Sequence, residues 1–351
     1  MRFSNPSRST FSAVAVATAL LALSACGSAG DSSGDNDGKL GNANAPVIGT
    51  NTTDVTLDSI RKQANLTQCD SADRTIKHDL GSTTIKGKPT RVVTLEISFA
   101  DAVAAAGLQP VGAADDNKPA RIKGLDQDIS GYKPVGLRSA PSLSAISSLK
   151  PDLIIADTTR HKAIYGQLQG IAPTISLTSV GAGYGATLAT DLRISEALGR
   201  CTEMEKALTE HFTRMKEIAA KIPAGEHRTV LYADALAPDF AAHNGALWEP
   251  QILQTLGLKS AIPPKTGERF QLLTLEQLLR YNPDVMFLGT DPTQPTAFAK
   301  WKTSPTWNQI NAVKNKKVFV VDDALWSAMR GIKTSEKVLQ QAMEHLKGGA
   351  S

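Results

Sequence analysis

Apolar runs bounded by turn-forming residues divide the chain into strands and helices from about residue 90 onward. Arg91-Val92-Val93-Thr94-Leu95 predicts a strand that is apolar on both faces, and residues 99–106 predict a helix stopped by Gly107. Residues 142–149 predict another helix, Lys150-Pro151-Asp152 a break, and Leu153-Ile154-Ile155-Ala156 a second buried strand. The same order returns in the second half. Arg228-Thr229-Val230-Leu231-Tyr232 predicts a strand, residues 251–256 a helix stopped by Gly257, and residues 275–281 a further helix. Asn282-Pro283-Asp284 is the break, and Val285-Met286-Phe287-Leu288 the closing strand. Arg91 and Pro151 are 60 residues apart, Arg228 and Pro283 55, so the second half reads as a faint copy of the first.

Strands buried on both faces and alternating with helices predict parallel-rich sheets flanked by helices. Two such half-chains predict an α/β fold of two lobes, over residues 69–201 and 223–351. Between them, residues 202–222 carry Met204, Leu208, Phe212, Met215 and Ile218 at helical spacing and end at Pro223. One helix of about 20 residues spans about 30 Å. Such a bridging helix would make the lobes a stiff clamp.

The N-terminal pattern is different. An apolar run over residues 11–23 follows Arg2 and Arg8, with no acidic residue before Asp31, which predicts a signal peptide over residues 1–25. The run is too short to span a bilayer. Leu23-Ser24-Ala25-Cys26 resembles the bacterial lipobox, which implies cleavage before Cys26 and a diacylglycerol on its thiol. The mature chain would then be extracytoplasmic and lipid-anchored to the outer face of the bacterial cell membrane. Residues 26–68, dominated by Gly, Ser, Asp, Asn, Thr and Ala, are expected to form a flexible linker that reaches about 35 Å. Asp31, Asp35 and Asp37 serve its solvation.

The remaining folded part is long enough for two modest cores. The formal charge of +4 falls to +2 once Arg2 and Arg8 leave with the signal, so neither a nucleic-acid surface nor a basic membrane face is expected. With Cys26 committed to lipid, Cys69 and Cys201 are an even pair in an exported chain. They form either a disulfide or two buried thiols.

In open parallel sheets the loops after the strands line the ligand crevice. Here those loops hold Glu96, Arg160, His161, Asp234, Asp291, Trp326 and Arg330, with Arg138 just ahead of a helix that leads into a strand. Arg138, Arg160 and Arg330 are expected to hold an anion, because guanidinium forks pair bidentately with carboxylates, and Trp326 offers a flat face and one donor. Tyr184 and Trp248 are further candidate ligand contacts. Residues 181–186 nominally fit the dinucleotide pattern GxGxxA, but the acid expected about 20 residues on would fall inside the bridging helix. A cleft loop is the better reading. The six histidines have no ligand spacing, so no direct protein-ligated metal is expected. The chain has no Walker loop, and nothing in it argues for an enzyme.

RVVTLEISFADAVAAAGLQPVGAADDN (residues 91–117), VGLRSAPSLSAISSLKPDLIIADTTRH (135–161) and ALWSAMRGI (324–332) resemble the iron–siderophore ABC-transporter solute-binding proteins. The resemblance implies two α/β lobes on a helical backbone, a monomer, and capture of a ferric siderophore for delivery to ABC permease subunits. A ferric citrate or another carboxylate-type chelate would be the ligand, with iron bound through the chelate and no resident cofactor. It implies cleft positions for Arg138, Arg160, Trp326 and Arg330, and a permease-docking role for Asp101. The matching acid of the second lobe is missing at Gln254, where Glu249 would substitute. Val180 and Ala235-Leu236-Ala237-Pro238 stand where the ferric dicitrate receptor of this family has basic residues, with Arg269 the candidate replacement. A haem or corrinoid receptor of the same fold is the alternative within transport. A chelate-processing hydrolase or reductase, or an interaction scaffold, are the alternatives outside it.

Overall fold

The computed structural model describes residues 55–123, 129–223, 225–237, 240–265, 267–268, 270–291 and 294–348. The signal, Cys26, the acids at 31, 35 and 37, and Arg269 lie outside the described residues.

The chain enters the folded body earlier than the linker expectation placed it. Helix α1 (Leu57–Ala64) is started by a reciprocal capping box between Thr56 and Ser59 and ended by Asn65 in the left-handed region. It packs on the later helices α7 (Tyr184–Leu198) and α8 (Cys201–Ala219), with Ile60 and Ala64 buried. A linker through residue 68 is therefore corrected. Two buried apolar positions in eight residues are too few to stand out in a polar stretch. Cys69 and Cys201 are disulfide-bonded with their Cα atoms 5.8 Å apart, which ties the segment after α1 to the first residue of α8.

An antiparallel hairpin, β1 (Arg74–His78) and β2 (Gly81–Ile85), precedes the first main sheet. That sheet contains β3 (Val92–Thr94), β4 (Gly112–Ala113), β5 (Lys133–Pro134), β8 (Leu153–Asp157) and β9 (Thr174–Leu177). Its order is β5-β4-β3-β8-β9, parallel throughout. A small ribbon of β6 (Gly136–Leu137) and β7 (Ala140–Pro141) stands apart from it. The helices of this lobe are α2 (Ile97–Ala105), α3 (Ala120–Lys123), α4 (Leu143–Ser148), α5 (Thr158–His161), α6 (Tyr165–Gln169) and α7.

Beyond α8, the second sheet follows the order β13-β11-β10-β14-β15, with β12 also paired to β10. Here β10 (Thr229–Asp234), β12 (Lys259–Ser260), β14 (Val285–Thr290) and β15 (Val318–Asp322) are parallel. At one edge the short strand β11 (Ala241–Ala242) pairs antiparallel with β10, and β13 (Gln271–Leu272) pairs antiparallel with β11. Its helices are α9 (Trp248–Gln254), α10 (Leu275–Tyr281), α11 (Asn311–Lys314) and α12 (Ile332–Gly348). The two parallel-rich sheets and the single long connecting helix are the architecture that the apolar pattern predicts.

The strands bury both faces, and period two sorts their side chains between cores. Val230, Tyr232, Val285 and Phe287 join a large central core, while Leu231, Ala233, Met286 and Leu288 join a satellite core on the other face. Leu153 and Ile155 join the same central core, with Ile154 and Ala156 on the far side of the first sheet. The repeated Pro-Asp break does the same work twice. Asp152 accepts the Thr90 and Arg91 amides at 2.8 and 2.9 Å, and Asp284 accepts the Thr229 amide at 2.9 Å. Each aspartate thus fastens the start of its own strand to the start of the neighbouring one.

Candidate functional site

Arg138 occupies the turn of the β6–β7 ribbon, where its guanidinium meets two carboxylates. Nη2 is 2.7 Å from Asp116 Oδ2 and Nη1 is 3.3 Å from Glu96 Oε2. Nη1 also donates across the cleft to the Ala328 carbonyl of the second lobe at 3.3 Å. Arg160 brings its Nε to 2.7 Å from the other Glu96 oxygen, an ion pair with the N–H off the line of a hydrogen bond. Arg121 completes the group, with Nη1 2.6 Å from Asp116 Oδ2. Burial raises the Asp116 carboxyl, but Arg138 and Arg121 outweigh it and hold the group below the usual carboxylate range. Burial likewise lowers the Arg138 guanidinium, and Glu96 and Asp116 more than reverse it.

Local structure fixes these side chains. Asp157 at the end of β8 accepts four amides, from Thr159, Arg160, Ser179 and Val180, at 2.8–3.1 Å. It caps α5 and holds the loop after β9 with the same carboxylate. His161 is fully buried, and its Nδ1 accepts the Asp157 amide at 2.8 Å. That leaves the proton on Nε2, which donates to the Arg138 carbonyl at 2.7 Å. Burial pushes this imidazole down and keeps it neutral. His161 is therefore the support of the Arg138 turn.

The second lobe contributes the segment after β15. Arg330, in the left-handed region at φ 39°, faces the same cluster. Its Nη1 donates to the Ser327 carbonyl at 3.1 Å, and its buried Nε has no hydrogen-bond partner among the described residues. Burial lowers the Arg330 pKa, opposed by Glu249 and Glu96 and reinforced by Arg138 and Arg160. Next to it lies a group that sequence reasoning did not assemble. His243 holds Glu249 Oε2 with Nδ1 at 2.7 Å and Asp234 Oδ2 with Nε2 at 3.1 Å. Burial alone would depress the imidazole, but Glu249 and Asp234 outweigh it and push it up to about 10. Asp323 lies against Asp234, and burial with that neighbouring charge raises its carboxyl well above the usual range.

Arg138, Arg160 and Arg330 lie around Glu96, and several other candidates do not reach the cleft surface. Trp326 is fully buried, stacked between Phe287 at 4.7 Å and Tyr232 at 5.8 Å, and its Nε1 donates to Gln341 at 2.9 Å. The indole is core beneath the site and offers no face to a ligand. Tyr184 is also buried, its hydroxyl bonded to His211 Nε2 at 2.7 Å. Trp248 is buried in the central core. The docking expectation is corrected at both positions. Asp101 is 0% exposed and accepts the Lys333 amide, and Glu249 is 1% exposed and bound to His243, so neither carboxylate can be offered at the surface to a permease. Glycine-rich residues 181–186 serve packing between the lobes. A Cβ on Gly183 would lie 2.7 Å from Ala246 O and Gln251 Oε1. Asp116, Arg121, His243 and Asp323 were missed because their meaning depends on partners far along the chain.

A sequence profile of the periplasmic binding proteins matches residues 92–325. The chain is similar to the Fe(3+)-citrate-binding protein YfmC of Bacillus subtilis, 42% identical over 268 residues, which cover 76% of this chain and 84% of that protein. It is also similar to the Fe(3+) dicitrate-binding periplasmic protein FecB of Escherichia coli, 36% identical, covering 75% and 87% of the two chains. Among solved structures it matches Staphylococcus aureus SirA complexed with staphyloferrin B, with a TM-score of 0.66, 31% identity, and coverage of 78% of this chain and 98% of that one. The profile, the relatives and the two-lobed fold agree: the chain belongs to the periplasmic binding protein family.

Proposed function

We propose that this protein is the extracytoplasmic solute-binding component of an ABC importer for a ferric carboxylate chelate, with ferric citrate as the first candidate. The observation that carries the ligand class is Arg330. A half-buried guanidinium whose Nε has no hydrogen-bond partner among the described residues, beside Arg138 and Arg160, which Glu96 and Asp116 only partly neutralise, can donate to a ligand carboxylate. The names of the relatives support the same ligand and the same transport role. The role is binding and delivery, not catalysis. Cys26 would carry the diacylglycerol that keeps the protein at the outer face of the membrane.

A haem receptor that relies on an axial histidine is less well supported. His161 and His243 each have both ring nitrogens bonded to protein groups. Calorimetric titration of the full chain with ferric citrate, iron-free citrate, ferric staphyloferrin B and haem tests the reading. Saturable binding of a ferric carboxylate chelate is expected, weakened about tenfold or more in Arg330→Ala. Binding of haem alone, or an Arg330→Ala variant with full chelate affinity, would overturn the assignment.

A further inference from the structure

Two helices begin at the lobe interface, and in each the residue before the first helical position is a glycine with no side chain to cap it. Helix α7 in the first lobe follows Gly183, and α12 in the second lobe follows Gly331 at φ 119°. In both cases the cap comes from the opposite lobe. The Tyr184 amide at the start of α7 donates to Gln251 Oε1 of α9 at 2.7 Å. The Lys333 amide at the start of α12 donates to Asp101 Oδ2 of α2 at 3.2 Å. The glycines make room for these visitors. A Cβ on Gly331 would collide with the Asp101 carboxylate, and one on Gly183 would press on the Gln251 amide oxygen. Both capping side chains are buried, at 0% and 2% exposure.

We infer that Asp101 and Gln251 are reciprocal cross-lobe helix caps, and that Asp101, by holding the turn at Gly331, is the positioning residue that aims Arg330 into the cleft. Asp101 also brings negative charge to the positive end of α12, which strengthens the contact. Asp191 lies close by, and burial and the Asp101 charge raise its pKa well above the ordinary value. Separation of the lobes would leave two helix ends uncapped at once, so the pair resists opening and keeps the arginine geometry preset. The inference about Arg330 rests on the proposed ligand reading, whereas the caps themselves do not.

The test has two arms on the full chain. In the first, amide hydrogen exchange is followed without ligand. Asp101→Ala is expected to speed exchange at Lys333 by tenfold or more, and Gln251→Ala to do the same at Tyr184. Asp101→Asn, whose amide oxygen still accepts, should leave Lys333 protected. In the second arm, ferric citrate affinity is measured in a double-mutant cycle. Asp101→Ala weakens binding about tenfold in the parent chain but less than twofold in the Arg330→Ala background, and Asp101→Asn retains affinity within about threefold. Unchanged exchange at both amides would refute the caps, and additive effects of Asp101→Ala and Arg330→Ala would refute the positioning role. If Asp101→Ala fails to fold, Gly331→Ala perturbs the same contact from the other side, and no change in Lys333 exchange there would refute the cap. If the parent chain binds no ferric chelate, the transport reading and the Arg330 role fall together, while the exchange arm still decides the caps.

Discussion

His243 is the residue whose surroundings most change its behaviour. Two carboxylates on a buried imidazole favour its charged form over burial, and its pKa rises from 6.5 to about 10. A group bound more tightly to its proton in the folded state contributes stability that is complete below its unfolded pKa and is lost as pH rises through the folded one. The thermal midpoint is therefore expected to fall between about pH 7 and 10. Asp323, raised to about 7, adds its own fall between about pH 4 and 7, below that window. His78, His161 and His211 are shifted down, so their cost appears on acidification below their ordinary range and does not mask the effect. In His243→Gln the midpoint should be lower at pH 7 and nearly flat to pH 10. A His243→Gln profile parallel to the parent across that window would show that the imidazole is not charged in the folded protein.

At the scale of elements, the Cys69–Cys201 bond fastens the segment after α1 to the head of α8. It closes a loop between residues 132 positions apart, joining the approach to β1 with the head of α8. Loops of this length lose substantial denatured-state entropy when closed, so the Cys69→Ser/Cys201→Ser chain should melt roughly 5–15 °C lower by scanning fluorimetry. A midpoint within about 2 °C of the parent would mean that packing of α1 on α7 and α8 alone holds this corner. The sequence makes legible those elements whose burial is self-evident. Strands β3, β8, β10 and β14 are apolar on both faces, and the stops at Gly107, Gly257 and Asn282 are left-handed as the chemistry of those residues demands. Helix α1 escaped because its stability comes from a cap and from neighbours outside its own span. The site divides in the same way. Arginines after strands are visible as a list, whereas their carboxylate partners Glu96 and Asp116 lie 42 and 22 residues from Arg138. The burial of Trp326 follows from Tyr232 and Phe287, which two other strands place on the same face.

For the folded body as a whole, the question is whether two lobes mean two folding units. The packing argues for one. A single core runs from Phe99 of α2 and Leu192 of α7 through Met204, Leu208 and Met215 of α8 to Phe287 of β14 and Val338 and Leu339 of α12. Polar contacts follow the same path. The Tyr184 hydroxyl meets His211 Nε2 at 2.7 Å, and His211 Nδ1 meets Glu336 Oε1 of α12 at 2.9 Å, which joins the first lobe to the last helix through the bridge. By contrast, the Lys118–Asp291 pair across the rim spans 3.2 Å with its lysine about half exposed, so it contributes at most about 1 kcal/mol. Apolar burial shared by both lobes outweighs such a contact and couples their unfolding. Scanning calorimetry of the full chain should give one endotherm whose van't Hoff and calorimetric enthalpies agree, with Lys118→Ala nearly indistinguishable from the parent. Two resolved endotherms would mean that the lobes unfold separately. The cleft would then owe its shape to ligand rather than to the core beneath it.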